Sequence, residues 1–180
     1  MSSAYDSFRR EFTAGGLSLD VLDEDPITQF ETWLKQAVDA GLKDPTAMVL
    51  ATVDKAGMPW QRTVLLKGLS NAGFVFYTNY TSNKAQAMAE HPRVSLLFPW
   101  NELDRQVIVG GSVEKMSLAA SASYFITRPR ESQIAAWASR QSRPIATRSV
   151  LEQQAKSLRG WRWDGFAEKP RPQFGSPWGE

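Results

Sequence analysis

The spacing of apolar residues changes along the chain, and each change marks an element boundary. Residues 1–24 show no sustained period and carry the flexible pair Gly15-Gly16, which predicts an arm outside the core. Asp25 then offers an N-cap and Pro26 suits the first helical position. Ile27, Phe30, Leu34, Ala37 and Val38 recur at helical spacing until Gly41, so an amphipathic helix is predicted over 26–40. From Ala47 the pattern turns to short β-rich runs. "AMVLATV" and "PWQRTVLLKGL" flank the turn "DKAG", and "FVFYTNY" follows the turn "SNAG" as a third strand.

Ser82 is placed to cap a short Ala-rich helix, "NKAQAMAEH", after which "RVSLLFPW" and "RQVIVGGSVEKM" read as two further strands. The pair Gly110-Gly111 inside the last run suggests a bulge or a close backbone approach. Three helices follow, "SLAASASYFITR" behind a Ser117 cap, "RESQIAAWASRQ" and "RSVLEQQAKSLR", before a tail rich in Gly, Pro and aromatic residues. Four or five short strands, tight turns and helices at both ends predict an α+β fold built on a small antiparallel barrel. Residues 25–180 are expected to form a single domain behind the arm, as a length of 180 suggests.

Composition then removes whole classes of chemistry. A hydrophobic content of 42% with 11% aromatics is enough to fill a core and rules out disorder as the main state. There is no cysteine and only one histidine, His91, so thiolate metal sites, a Cys nucleophile and multi-His metal sites are excluded. His91 sits between a helical and a strand pattern, where a solvated connector is the plain reading. The net charge of +2 falls short of the basic excess that nucleic-acid binding needs. No apolar run or leader-like start suggests a membrane span or secretion, so a cytoplasmic protein with no membrane and no nucleic-acid partner is expected.

Candidate chemistry gathers in three places, all suited to anions. "QRTVLLK" carries Arg62 and Lys67, which strict alternation puts on opposite faces; they serve one ligand only if the strand ends or bulges near Lys67. "FYTNYTSNK" leads into a helix start, where free N–H groups, Thr78, Ser82 and Lys84 could cradle a phosphate. The segment from Tyr124 to Arg148 holds five arginines against one glutamate, with Arg128 and Arg130 flanking Pro129 at a helix junction. Trp33 and Trp137 are expected to pack in the core. Neither GxGxxG nor a P-loop string occurs, and the carboxylates are scattered. Phosphate chemistry without a base, metal or nucleophile points to a cofactor that does the hard chemistry.

These stretches, with "RREF", "DPTAMVLATVD", "RVSLLFPW" and "RQVIVGG", closely resemble the pyridoxamine 5'-phosphate oxidase family from about Phe8 to Trp178. The resemblance implies an FMN-binding split barrel working as a homodimer. It implies that Arg62, Thr63, Val64, Leu65, Leu66, Lys67, Tyr77, Thr78, Ser82, Asn83, Lys84, Gln106, Gln141 and Ser142 contact FMN. Lys67, Tyr124, Arg128 and Ser132 would hold the substrate's phosphate, with Arg9 and Arg10 on an arm that covers it. In such enzymes a hydride leaves the C4' carbon of pyridoxamine or pyridoxine 5'-phosphate for flavin N5, and dioxygen reoxidises the flavin. The products are pyridoxal 5'-phosphate and hydrogen peroxide.

Two departures from the family pattern qualify that expectation. Asn83 stands where the family usually has an arginine, so one guanidinium is replaced by an amide. The family also continues beyond the position of Trp178-Gly179-Glu180 with a segment carrying further flavin and substrate contacts, and reduced turnover is expected from its lack. The alternatives are a non-catalytic FMN or B6-phosphate binder and another split-barrel flavin oxidoreductase.

Overall fold

A computed structural model describes residues 16–139 and 141–159. In chain order the elements are α1 (Pro26–Asp39), β1 (Ala47–Val53), β2 (Pro59–Leu65), β3 (Gly68–Ser70), β4 (Gly73–Val75), α2 (Asn83–Glu90), β5 (Arg93–Trp100), β6 (Arg105–Ser112), α3 (Leu118–Thr127), α4 (Arg130–Ala138) and α5 (Arg148–Arg159). The strands form a four-stranded sheet in the order β2-β1-β5-β6 and a two-stranded antiparallel sheet, β3-β4, in which Leu69 faces Phe74. The arm up to residue 15 and the tail from residue 160 lie outside the described residues.

Local chemistry explains most boundaries. The Asp25 carboxylate accepts from the N–H groups of Ile27 and Thr28, each at 3.2 Å, and Pro26 opens α1. The helix closes where Gly41 takes φ +73°, a conformation glycine adopts without cost. In β1 every second residue, Met48, Leu50 and Thr52, is buried. Asp54 organises the turn to β2 by accepting from Ala56 N, Met58 N and Trp60 Nε1 at 2.8–3.0 Å.

Several sequence expectations need correction. The run "PWQRTVLLKGL" is interrupted: β2 stops at Leu65, Leu66 is buried, and the chain resumes pairing as β3. The third strand is short, ending at Val75, because β3 offers only three residues to pair with. Tyr77 and Thr78 therefore stand on irregular backbone, not in a strand. A Cβ at Gly110 or Gly111 would meet nothing within 4 Å, so neither glycine is required by a close approach among the described residues. Val38, counted on the apolar face of α1, is exposed, while Gln29 is buried there. His91 is exposed at the C-cap of α2, as a connector should be.

The chain divides into two compact units, each with its own buried residues. The first takes the described residues up to Leu50 with Thr63–Phe76 and Leu96–Val109. Its core is aromatic: the Phe30 ring lies 4.9 Å from Phe74, 4.8 Å from Phe98 and 5.6 Å from Trp100, in edge-on or tilted pairs. Trp100 donates its indole N–H to the Pro45 carbonyl at 2.9 Å, so the buried ring leaves no polar atom unmet. Trp33 is half-buried beneath the Arg105 guanidinium, 4.8 Å from its ring centre.

The second unit takes Ala51–Arg62, Tyr77–Ser95 and the described residues from Gly110 onward. Its buried residues are smaller and more polar, with Thr52, Ser82, Ala85, Ala87 and Ser121 beside Phe125, Ile134 and Ala138. Phe125 meets Trp137 edge-on at 6.2 Å. Phe98→Ala removes the ring on which Phe30, Phe74 and Trp100 converge and should cost about 3–5 kcal/mol of unfolding free energy. Urea unfolding followed by tryptophan fluorescence measures it, and a loss below about 1 kcal/mol would contradict the central role of that ring.

Candidate functional site

The second unit gathers cations and neutral donors at the start of α2. Ser82, fully buried, caps the helix, its hydroxyl accepting from Ala85 N at 3.4 Å. The other N–H groups of the first turn have no carbonyl within the helix to donate to, and the helix dipole leaves positive potential at this end. Asn83 is exposed at the first helical position and Lys84, half-buried, follows. The Lys84 ammonium donates to Gln141 Oε1 at 3.0 Å and approaches the Ser82 hydroxyl at 3.5 Å. A contact between residues 57 positions apart thus ties the loop after α4 to the start of α2.

Arg62 comes to the same place from β2. Its guanidinium donates to the buried Thr52 hydroxyl on the neighbouring strand at 2.6 Å. Burial lowers the pKa of Lys84, and the Arg62 charge lowers it further; burial also lowers that of Arg62. Two like charges are therefore held partly out of water, close enough to feel each other, beside the N-terminal end of α2. Such a set fits an anion with several acceptor oxygens, a phosphate above all.

A second cluster in the same unit is aromatic. The Tyr77 and Tyr124 rings stack face to face, 3.5 Å between centres and 5° from parallel. Burial raises the Tyr77 pKa, with smaller contributions from Tyr124 and Tyr80, so its phenol stays a neutral donor. Arg128 caps the end of α3, its guanidinium carbon 5.9 Å from the Phe125 ring centre, and Ser132 lies half-buried in the first turn of α4. Thr78 is half-buried after β4, and Ser142 takes φ +65°, a left-handed conformation uncommon outside glycine.

The remaining expected positions belong to the first unit. Thr63, Val64 and Leu65 end β2, Leu66 is buried, and Lys67 is exposed while its N–H pairs with the Val75 carbonyl at 2.8 Å. The strand break that Lys67 needed to escape strict alternation is thus present. Gln106 is exposed on β6. Arg9 and Arg10 lie outside the described residues. Sequence reasoning missed Thr52 as the partner of Arg62; its signal was a hydroxyl in a buried slot of an otherwise apolar alternation. Among the described residues no group of three or more acidic or histidine side chains could hold a metal, and no helix is long and apolar enough to cross a membrane.

The sheets and the flanking helices define an α+β protein of the split-barrel class, with a cationic start to α2. A family model described as pyridoxamine 5'-phosphate oxidase matches residues 34–162, and the chain belongs to that family. It is 49% identical over 178 residues to a pyridoxine/pyridoxamine 5'-phosphate oxidase of Alteromonas mediterranea, covering 98% of this chain and 81% of that one. The oxidase of the same name from Escherichia coli is 52% identical over 171 residues, 95% of this chain and 76% of the relative. Among solved structures, PhzG from Burkholderia lata, crystallised with tetrahydrophenazine-1-carboxylic acid, matches with a TM-score of 0.79 and 25% identity, covering 90% of this chain and 79% of its own. A pyridoxamine 5'-phosphate oxidase-related, FMN-binding protein of Nostoc punctiforme shares the fold with a TM-score of 0.56, at 15% identity over 73% of each chain.

The lowered pKa of Lys84 has a consequence for stability. A base whose pKa is lower in the folded than in the unfolded chain weakens the fold while charged, and that cost fades as pH rises. Between its depressed value and the ordinary lysine value of 10.5, the ligand-free chain should gain stability relative to Lys84→Met with increasing pH. Urea unfolding of both proteins across this range measures the difference, and a flat or falling difference would contradict the buried like-charge pair.

Proposed function

We propose that this chain is an FMN-dependent pyridoxine/pyridoxamine 5'-phosphate oxidase. The observation that carries the reading is the partly buried Lys84–Arg62 pair at the start of α2, in a chain about half identical to proteins of that name. The donor set suits the terminal phosphate of FMN: an ammonium, a guanidinium, the Ser82 hydroxyl, the Gln141 amide and the N–H groups of the first helical turn. Bound FMN supplies two-electron redox chemistry between the B6 phosphate and dioxygen.

The chain's own residues bind and orient. Lys84 and Arg62 neutralise the cofactor's phosphate, and the Thr52 hydroxyl keeps the Arg62 guanidinium from turning away. Gln141 and Ser142 bring the loop after α4 to the same ligand, and Thr63 to Lys67, Tyr77, Thr78, Asn83 and Gln106 complete the flavin contacts. Lys67, Tyr124, Arg128 and Ser132 hold the phosphate of the substrate, with Arg9 and Arg10 from the arm. No protein group is required to take a proton at the reacting carbon in this scheme; the work is placement and charge neutralisation.

The working assembly in this reading is a homodimer in the cytoplasm. Each subunit folds as one split-barrel domain over residues 25–180 behind an arm over 1–24. Dioxygen is the electron acceptor.

The test is direct. The purified chain, supplied with FMN, should show a bound-flavin absorption spectrum and form pyridoxal 5'-phosphate and hydrogen peroxide from pyridoxine 5'-phosphate. Flavin binding without product formation would favour a binding protein, and flavin reduction by NAD(P)H with no B6 turnover would favour another flavin oxidoreductase. Arg62→Ala should weaken FMN binding, and Asn83→Arg should tighten it by about 1.5 to 3 kcal/mol at most, the range of a charged hydrogen bond. Fluorescence-quenching titrations measure both, and an unchanged affinity in either variant would contradict the cradle. Lys67→Ala should weaken flavin and substrate together.

A further inference from the structure

We propose that Gln133 is a positioning residue for recognition of the substrate's phosphate: its side-chain amide locks the turn between α3 and α4. That turn sets where Tyr124, Arg128 and Ser132 stand. The inference rests on the reading of those three residues given under the proposed function.

The need for such a lock comes from the sequence at the turn. A helix leaves its last carbonyls without intrahelical partners. In a continuing helix the N–H of residue 129 would serve the Phe125 carbonyl, but Pro129 has none. Phe125 O instead accepts from Arg128 N at 3.2 Å as the chain swings to extended geometry, ψ 147° at Arg128. The N–H that would serve Ile126 O belongs to Arg130, which already opens α4. The carbonyls of Ile126 and Arg128 are thus left for a side chain to meet.

Gln133 meets both. Its Nε2 donates to Ile126 O at 3.1 Å and to Arg128 O at 2.9 Å. Its Oε1 accepts from the Arg130 guanidinium at 3.5 Å, and its own N–H donates to Pro129 O at 3.1 Å as the first hydrogen bond of α4. One half-buried side chain therefore grips the end of α3, the turn and the start of α4. Tyr124 lies in the last turn of α3, Arg128 is its cap and Ser132 sits in the first turn of α4, so the three flank the grip on both sides. Further out, Arg130 reaches the Leu158 carbonyl at 3.3 Å and Arg159 pairs with Glu131 at 3.4 Å, bracing α4 against α5. Loosening the turn should let the Arg128 fork and the Ser132 hydroxyl drift apart. The cofactor-phosphate cradle at α2 should stay as it is.

The test uses the FMN-loaded chain and two replacements: Gln133→Met, of similar length with no donor, and Gln133→Glu, of similar shape with an acceptor facing two carbonyls. The KM for pyridoxine 5'-phosphate and the dissociation constant for pyridoxal 5'-phosphate, the latter by calorimetry, should both rise roughly tenfold. The kcat and the FMN affinity should stay within about twofold, a split that general damage to the fold does not produce. In an Arg128→Ala background, Gln133→Met should add little to the loss of product affinity. Should Gln133→Met fail to fold, Gln133→Asn, which keeps the donor one methylene short, should show the same split at smaller size.

Product affinity equal to wild type in these variants, or losses that simply add to that of Arg128→Ala, would overturn the inference while leaving the proposed function standing. A wild-type chain that binds flavin but neither B6 phosphate overturns both.

Discussion

Two positive side chains held partly out of water beside the positive end of a helix form the constraint on which the second unit depends. Lys84 and Arg62 repel each other, burial disfavours both charges, and the hydrogen-bond partners of Lys84, a hydroxyl and an amide oxygen, are neutral. In the ligand-free protein this arrangement costs stability. It persists because the surroundings fix it: Thr52 holds the guanidinium from the adjacent strand, Ser82 caps the helix that carries the ammonium, and Gln141 reaches in from the loop after α4. In the proposed reading, an anion with several oxygens would turn the same features from a penalty into a site.

The elements around the pair follow from ordinary local chemistry. Alternation along β1 places Thr52 in a buried slot, and the Asp54 turn returns the chain so that β2 lies beside β1. An Asx turn at Asn79, whose side chain accepts from Thr81 at 2.8 Å, leads into the Ser82 cap and sets where α2 begins. Few large side chains are buried in this unit, so its geometry relies on hydrogen bonds more than the first unit does, where four aromatic rings pack on one another. Polar positioning is what a phosphate site needs, since an oxyanion is recognised by direction as well as by charge.

Much of this was legible from residues alone. The Asp25–Pro26 start, the apolar run of β1 and the Ser82 cap depend on neighbours within a few positions and are legible there, although the alternation that buries Thr52 is not. The clustering of cations in 62–67, 78–84 and 124–148 was legible, and the structure brings Arg62, Lys84 and Gln141 from those three stretches together. Less legible was anything set by distant partners. Val75 ends β4 because β3 is short, which no property of "FVFYTNY" reveals. The Lys84–Gln141 contact spans 57 positions and no local pattern announces it, and the grip of Gln133 on two carbonyls depends on how a proline turn closes. Val38 fits the helical period yet is exposed, because the period marks a face and not how far its neighbours cover it.

The most direct measurement of the central claim is the titration of the Lys84 side chain itself, followed by NMR of selectively labelled lysine with and without FMN. The account predicts a pKa below the ordinary lysine value in the free protein and a clear rise when the cofactor's phosphate binds beside it. An ordinary value in the free chain, or one that FMN leaves unmoved, would contradict it.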